Sequence, residues 1–257
     1  MTVIAMNPAA TLDGRCPLPV RHPVMRQRWE TLSFLHWPYP ARIIQRLLPD
    51  GLSVDCSAGS AWVGLIPFFL RIAGPIGPSI SGLMAFPEIN VRTYVTGPGG
   101  EPGIYFLSLD APHLLSVLVA RAAYRVPYEH AHMRLARAGD ILVYECRRRR
   151  GLAAGTDGSI ALRVGKRIDV EALTELDHFL TARWTVFSHD RRGLRHARVE
   201  HAPWPLHHAT VLHADTGLIC ATGLPAPTGV PLAHYSPGVT ALMTSPGRTR
   251  NASTHGA

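Results

Sequence analysis

The chain has 257 residues, of which 46% are hydrophobic and only 17% charged; this supplies a sizeable core and excludes a disordered or fibrous protein. Its formal charge of +8 comes from arginine, because Lys166 is the single lysine among 26 basic residues. The arginines are scattered and lack the interleaved stacking aromatics of a nucleic-acid groove, so no nucleic-acid partner is expected.

Glycine and proline (23 and 22 copies) punctuate the sequence into short elements, and long helices are not expected. In chain order, "RWETLSFLHW" reads as a strand. Pro40 then opens a short helix, "ARIIQRLL", stopped by Pro49 and the Asp50-Gly51 turn. "SAWVGLIPFF" and "EINVRTYV" read as strands, and the turn "TGPGGEPG" leads to "IYFLSLD", a hairpin over 88–109. Helix formers fill Pro112 to Tyr124, and Asp110 is placed to cap that helix. "YEHAHMRLA" and "DILVYECRR" form a further hairpin, followed by the run Arg147 to Arg150, read as a solvated strand end. "SIALRV" is a strand, Lys166 a loop residue, and "LTELDHFLTARW" a second helix. The tail from Thr244 is polar and is expected to be disordered.

The four cysteines stand far apart without C-x-x-C spacing, so reduced thiols and a cytoplasmic setting are expected. The N-terminal residues lack a basic segment followed by an apolar run, and secretion is not expected. The most apolar region, 61–87, is interrupted by Arg71, Pro67, Pro75 and Pro78, so no membrane span is expected. G-x-G-x-x-G, G-x-x-x-x-G-K and G-x-S-x-G are all missing, which removes dinucleotide, P-loop and nucleophile-elbow chemistry. His130 and His132 share a strand face, but H-A-H alone is too short a ligand set, and neither a metal nor a cofactor is expected. In "FPEINVRTYV", Glu88, Asn90 and Arg92 alternate with Ile89, Val91 and Thr93; the polar face lines cavity or solvent, with Arg92 expected to pair with Glu88 or Asp110. Trp204 in "APWPL" reads as a core plug.

The strings "HWPYP", "LLPDGLSVD", "AWVGLIPF", "FPEINVRTYV", "PGIYFLSLDA", "ARAAYRVPY", "FLTARW", "APWPL" and "HYSPGV" occur in this order. Together they resemble the bacterial YqjF-like family, itself similar to acetoacetate decarboxylase. The resemblance spans about 21–243 and divides the chain into an N-terminal extension (1–20), one domain (21–243) and a tail (244–257). It implies an α+β, mainly β fold: a cone-shaped antiparallel β-barrel with a few short flanking helices and an internal pocket.

The resemblance also sets the candidate residues. Where the decarboxylases follow an arginine, an aromatic and a proline with two lysines, this chain has Arg121, Pro127, Tyr128 and Glu129. The Schiff-base nucleophile is missing, since a tyrosine cannot form an imine. Tyr128 and Glu129 remain as catalytic candidates, with Tyr128 expected to face inward. Arg28, near the decarboxylases' carboxylate-binding arginine, Tyr128 and Arg121 are the ligand-binding candidates, with Arg28 and Tyr128 sharing a ligand. The expected partner is a small carboxylate or keto acid, bound without imine chemistry or turned over by acid/base catalysis. A homo-oligomer is left open.

Overall fold

The computed structural model describes residues 14–73, 85–112, 125–149 and 155–249. Strand β1 (Met25–Tyr39) runs into Pro40, whose fixed φ starts the one-turn helix α1 (Ala41–Gln45). Two short bridges, β2 (Ser53–Val54) and β3 (Cys56–Ser57), precede the long β4 (Ser60–Ala73). β5 (Ala85–Thr96) and β6 (Pro102–Ala111) form the first hairpin, its turn closed by the Gly97 amide donating to the Glu101 carbonyl at 2.8 Å. β7 (Tyr128–Ala138) and β8 (Ile141–Arg148) form the second, turning through Gly139 at φ +61°. β9 (Asp157–Arg167) leads to helix α2 (Glu175–Thr181). Then come β10 (Thr185–Asp190), β11 (Gly193–His201), β12 (His207–Ala214), helix α3 (Gly217–Cys220), β13 (Leu232–Met243) and β14 (Gly247–Arg248).

The strands are ordered β14-β11-β10-β6-β7-β8-β9-β12-β13-β1-β4-β5-β2, with β3 beside β4. This path returns on itself twice, because β5 also pairs with β6 and β11 also pairs with β13. The sheet β13-β1-β4-β5-β6 therefore belongs to two hydrogen-bonded circuits, one completed by β7, β8, β9 and β12, the other by β10 and β11. Pairing is antiparallel except where β6 meets β7 and β10.

Alternation along the shared strands feeds both faces. One face packs Leu35, Val63, Leu65, Ile89 and Val91 against Leu142, Tyr144, Ile160 and Leu162. The opposite face packs Phe34, Ile66 and Phe68 against Trp204 and Leu206, and Tyr94 against Leu180, Val186 and Val199. Each fully buried side chain of this size contributes roughly 1.5–3 kcal/mol. Close approach of β13 to β1 needs a glycine: Gly238 has φ +124°, and a Cβ there would lie 1.9 Å from the Trp29 carbonyl oxygen. This contact lies beside Thr31, where β1 adopts φ 48° and its register with β4 shifts.

Three expectations need correction. Helix α1 ends at Gln45, short of the "ARIIQRLL" stretch. Lys166 lies in β9, not in a loop, and is exposed. The tail is not disordered from Thr244 onward, because Gly247 and Arg248 pair with His196 and Arg195 of β11. The helix expected over Pro112 to Tyr124 lies outside the described residues apart from Pro112. No helix among the described residues is long and apolar enough to cross a membrane.

Candidate functional site

Glu88, Asn90, Arg92 and Tyr94 project from one face of β5, where their β4 neighbours across the ladder are Phe68, Ile66, Gly64 and the adjoining Trp62. A polar stripe is thus set into an apolar wall. Glu88 is only 3% exposed and Asn90 5%. The Tyr128 hydroxyl donates to Glu88 Oε2 at 2.7 Å. It reaches this carboxyl because the parallel β6–β7 pairing sets Tyr128 beside Leu109, on the Glu88 side of the sheet. Burial pushes the Glu88 carboxyl up to about 8; the Tyr128 hydrogen bond opposes the rise and the Asp110 charge adds to it. At neutral pH Glu88 is mostly the uncharged acid.

Further along the stripe, Arg92 Nη2 donates to the Leu180 carbonyl at 2.9 Å and to the Tyr94 hydroxyl at 3.3 Å. Its guanidinium carbon stands 5.7 Å from the Phe34 ring centroid. Arg92 Nε is buried without a partner, as is Asn90 Oδ1. No carboxylate pairs with Arg92 among the described residues. The nearby cation Arg183 is matched by Asp55 at 2.7 Å, and Asp177 is held by Thr174 and His234. His36 Nε2 meets the Tyr94 hydroxyl at 2.7 Å, and Tyr94 donates to the Leu180 carbonyl at 2.7 Å. His36 has room because Gly64 lies opposite it: a Cβ at Gly64 would come within 3.0 Å of the imidazole. Desolvation, reinforced by the Arg92 charge, holds His36 well below the usual imidazole range, so it is neutral. Helix α2 supplies the Leu180 carbonyl and is fixed by a capping box between Thr174 and Asp177.

The expected residues fall into separate places. Tyr128 is on the Glu88 face. Glu129, directly opposite Asp110, points to the other face, where its charge acts on Asp110 and Arg148. Arg28 does not turn inward: its side chain is 68% exposed and its Nε contacts Glu30 Oε1 at 2.7 Å, so the shared Arg28–Tyr128 site is not formed. The reason is the phase of β1, which directs Trp29 to the aromatic cluster with Phe68 and Trp204 and its neighbour Arg28 to solvent. Arg121 lies outside the described residues.

Arg92 pairs with neither Glu88 nor Asp110. Asp110 instead accepts from Arg148 Nε at 2.6 Å and Nη2 at 2.9 Å, so it serves as an ion-pair partner inside β6. The same pair corrects the reading of the arginine run, since Arg148 is 4% exposed and reaches inward to Asp110 and Ser108. Trp204 is buried as expected and donates from Nε1 to the Thr181 carbonyl at 3.1 Å. Among the described residues no cluster of three or more His, Cys, Asp or Glu side chains is placed to hold a metal ion. Sequence reasoning passed over His36 and Tyr94, whose only local signal is a polar residue in an apolar strand; their partnership spans 58 residues.

The DUF2071 family model, whose description is "Uncharacterized conserved protein", matches residues 26–240. The chain is 36% identical over 218 residues to the uncharacterized protein YqjF of Bacillus subtilis (strain 168), covering 83% of this chain and 87% of that protein. Its fold is similar to an acetoacetate decarboxylase-like enzyme from Sphingomonas wittichii RW1, with TM-score 0.61, 13% identity and coverage of 89% and 94% of the two chains. It is also similar to the acetoacetate decarboxylase of Legionella pneumophila, with TM-score 0.58, 14% identity and coverage of 92% and 93%. The enduracididine biosynthesis enzyme MppR complexed with pyruvate gives TM-score 0.64 at 11% identity, over 92% of this chain and 95% of that one. With the family model matched over most of its length, this chain belongs to the YqjF-like DUF2071 family and has the acetoacetate-decarboxylase-like fold.

Proposed function

We propose that the inward stripe of β5 binds a small organic carboxylate, with Arg92 as its anion partner and Glu88, Asn90 and Tyr128 contacting the rest of the molecule. The carrying observation is the unmatched charge of Arg92. A partly buried guanidinium normally meets a carboxylate, yet here the neighbouring acids are either committed elsewhere or, like Glu88, mostly protonated. A ligand carboxylate completes the pairing through the unpartnered Nε. Along β5, Arg92 and Glu88 lie on one face four residues apart, roughly 13 Å between Cα atoms, with Asn90 between them. That MppR, of similar fold, is complexed with pyruvate supports the size class.

Binding proceeds without an imine. Lys166 is the only lysine and sits exposed near the end of β9, so no lysine faces the stripe. A catalytic version of the same reading rests on Glu88: a carboxyl that titrates near 8 can take or return a proton at neutral pH, with the Tyr128 hydroxyl held against it. The test is a thermal-shift screen of acetate, pyruvate, acetoacetate and lactate on wild type and Arg92→Met. At least one acid is expected to stabilise the wild type and to lose most of that effect in the variant. Equal stabilisation of both proteins would remove Arg92 from the reading, and a reduced adduct after hydride treatment with acetoacetate would overturn the imine-free part.

A further inference from the structure

Helix α2 has only seven residues, yet the carbonyls of its last turn are taken up by side chains from outside the helix. The Phe179 carbonyl accepts from Arg183 Nε at 2.8 Å and the Thr181 carbonyl from Trp204 Nε1 at 3.1 Å. Between them, the Leu180 carbonyl accepts from Arg92 Nη2 at 2.9 Å and from the Tyr94 hydroxyl at 2.7 Å. Free carbonyls at a helix C-terminus carry its partial negative charge. The Leu180 oxygen is therefore an internal stand-in for an anion at Arg92.

A guanidinium takes a carboxylate on two parallel N–H groups, and Nε forms such a fork with Nη2. On Arg92 the Nε half of this fork is unpartnered, but Nη2 already donates to the Leu180 carbonyl and, at 3.3 Å, to the Tyr94 hydroxyl. A carboxylate seated on both nitrogens has to replace one of these acceptors, and the Tyr94 hydroxyl is itself bound to the Leu180 carbonyl. Either replacement breaks into the contact that docks α2 on β5. Resting on the carboxylate reading of Arg92, we propose that the last turn of α2 is an autoinhibitory plug: the Leu180 carbonyl holds half of the arginine fork in the free protein, and a bound carboxylate displaces it and loosens the helix.

The plug is secured from its other end. Thr174 Oγ1 accepts from the Asp177 amide at 3.1 Å and donates to Asp177 Oδ2 at 2.7 Å, while Asp177 Oδ1 lies 3.3 Å from His234 Nε2 on β13. Thr174 is exposed and sits at the end of α2 away from Leu180, so Thr174→Ala weakens the helix without altering the donors to the anion.

The test uses the full-length chain with acetate, pyruvate, acetoacetate and lactate as probes. Amide hydrogen exchange is read residue by residue with and without saturating acid. The Ala182 amide, which closes the last turn onto the His178 carbonyl at 2.8 Å, is expected to exchange at least about threefold faster with acid bound, against the protection that binding ordinarily confers. In calorimetry, Thr174→Ala is expected to bind the same acid about fivefold tighter than wild type, the equivalent of one average N-cap. The exchange measurement needs no variant and so decides the matter even where Thr174→Ala folds poorly. Unchanged or slower exchange at Ala182 during Arg92-dependent binding, or equal or weaker binding by Thr174→Ala, would overturn the plug and leave the carboxylate site standing. If none of the four acids binds in an Arg92-dependent way, the carboxylate reading fails and the plug with it.

Discussion

Glu88 keeps its proton up to about pH 8 in the folded chain, while an exposed glutamate releases it near 4.5. Between those values the folded state holds more protons than the unfolded state, so stability falls as pH rises and levels off above 8. The full cost is on the order of 3–5 kcal/mol, from a shift of that size at roughly 1.4 kcal/mol per unit. Glu88→Gln keeps the shape and an acceptor for the Tyr128 hydroxyl but removes the titration. Urea midpoints are expected to decline for wild type from pH 6.5 to 8.5 and to stay flat for Glu88→Gln, with the variant the more stable protein at the alkaline end. Parallel declines in both would move the proton to another group.

At the scale of elements, the buried Arg148–Asp110 pair ties β8 to β6 across β7, with Ser108 taking a third hydrogen bond at 3.0 Å. Removing one partner strands a charge in the interior, so Arg148→Met is expected to cost about 3–5 kcal/mol in denaturant unfolding, against less than about 1 kcal/mol for the exposed neighbour Arg147→Met. Comparable losses would make Arg148 the surface residue that its sequence context implies. The two arginines show what a single sequence can carry. Alternation in "FPEINVRTYV" and the turn glycines made the β5–β6 hairpin and its polar face legible, because those signals act over a few residues. In the run of four arginines there is no such contrast; which one turns inward is decided by β7–β8 register and by Asp110, 38 residues away. Arg28 fails for the same reason, since its direction depends on the bend at Thr31 and on where Trp29 finds its aromatic partners.

For the molecule as a whole, two circuits sharing one sheet give that sheet two buried faces, and burial holds the imidazoles of the interior neutral. His36, His201 and His234 all have depressed basicity, chiefly through desolvation, with His201 brought to about 4. The unfolded chain binds protons at these imidazoles below pH 6.5 while the folded chain does not, so they withdraw stability as pH falls from 6.5 toward 4. In the Glu88→Gln background, which removes the opposing carboxyl titration, His201→Phe is therefore expected to lose less urea midpoint between pH 6.5 and 4.5 than the same background with His201 in place; equal acid sensitivity would assign the loss to surface groups. The central claim, that the stripe facing inward from β5 is a carboxylate site served by Arg92, is tested most directly by a crystal structure of the chain with a small carboxylate that stabilises it, pyruvate first. The account expects the bound carboxylate within hydrogen-bonding distance of Arg92 Nε, with Glu88 or Asn90 against the rest of the molecule; a carboxylate seated on exposed Arg28, or elsewhere away from β5, would contradict it.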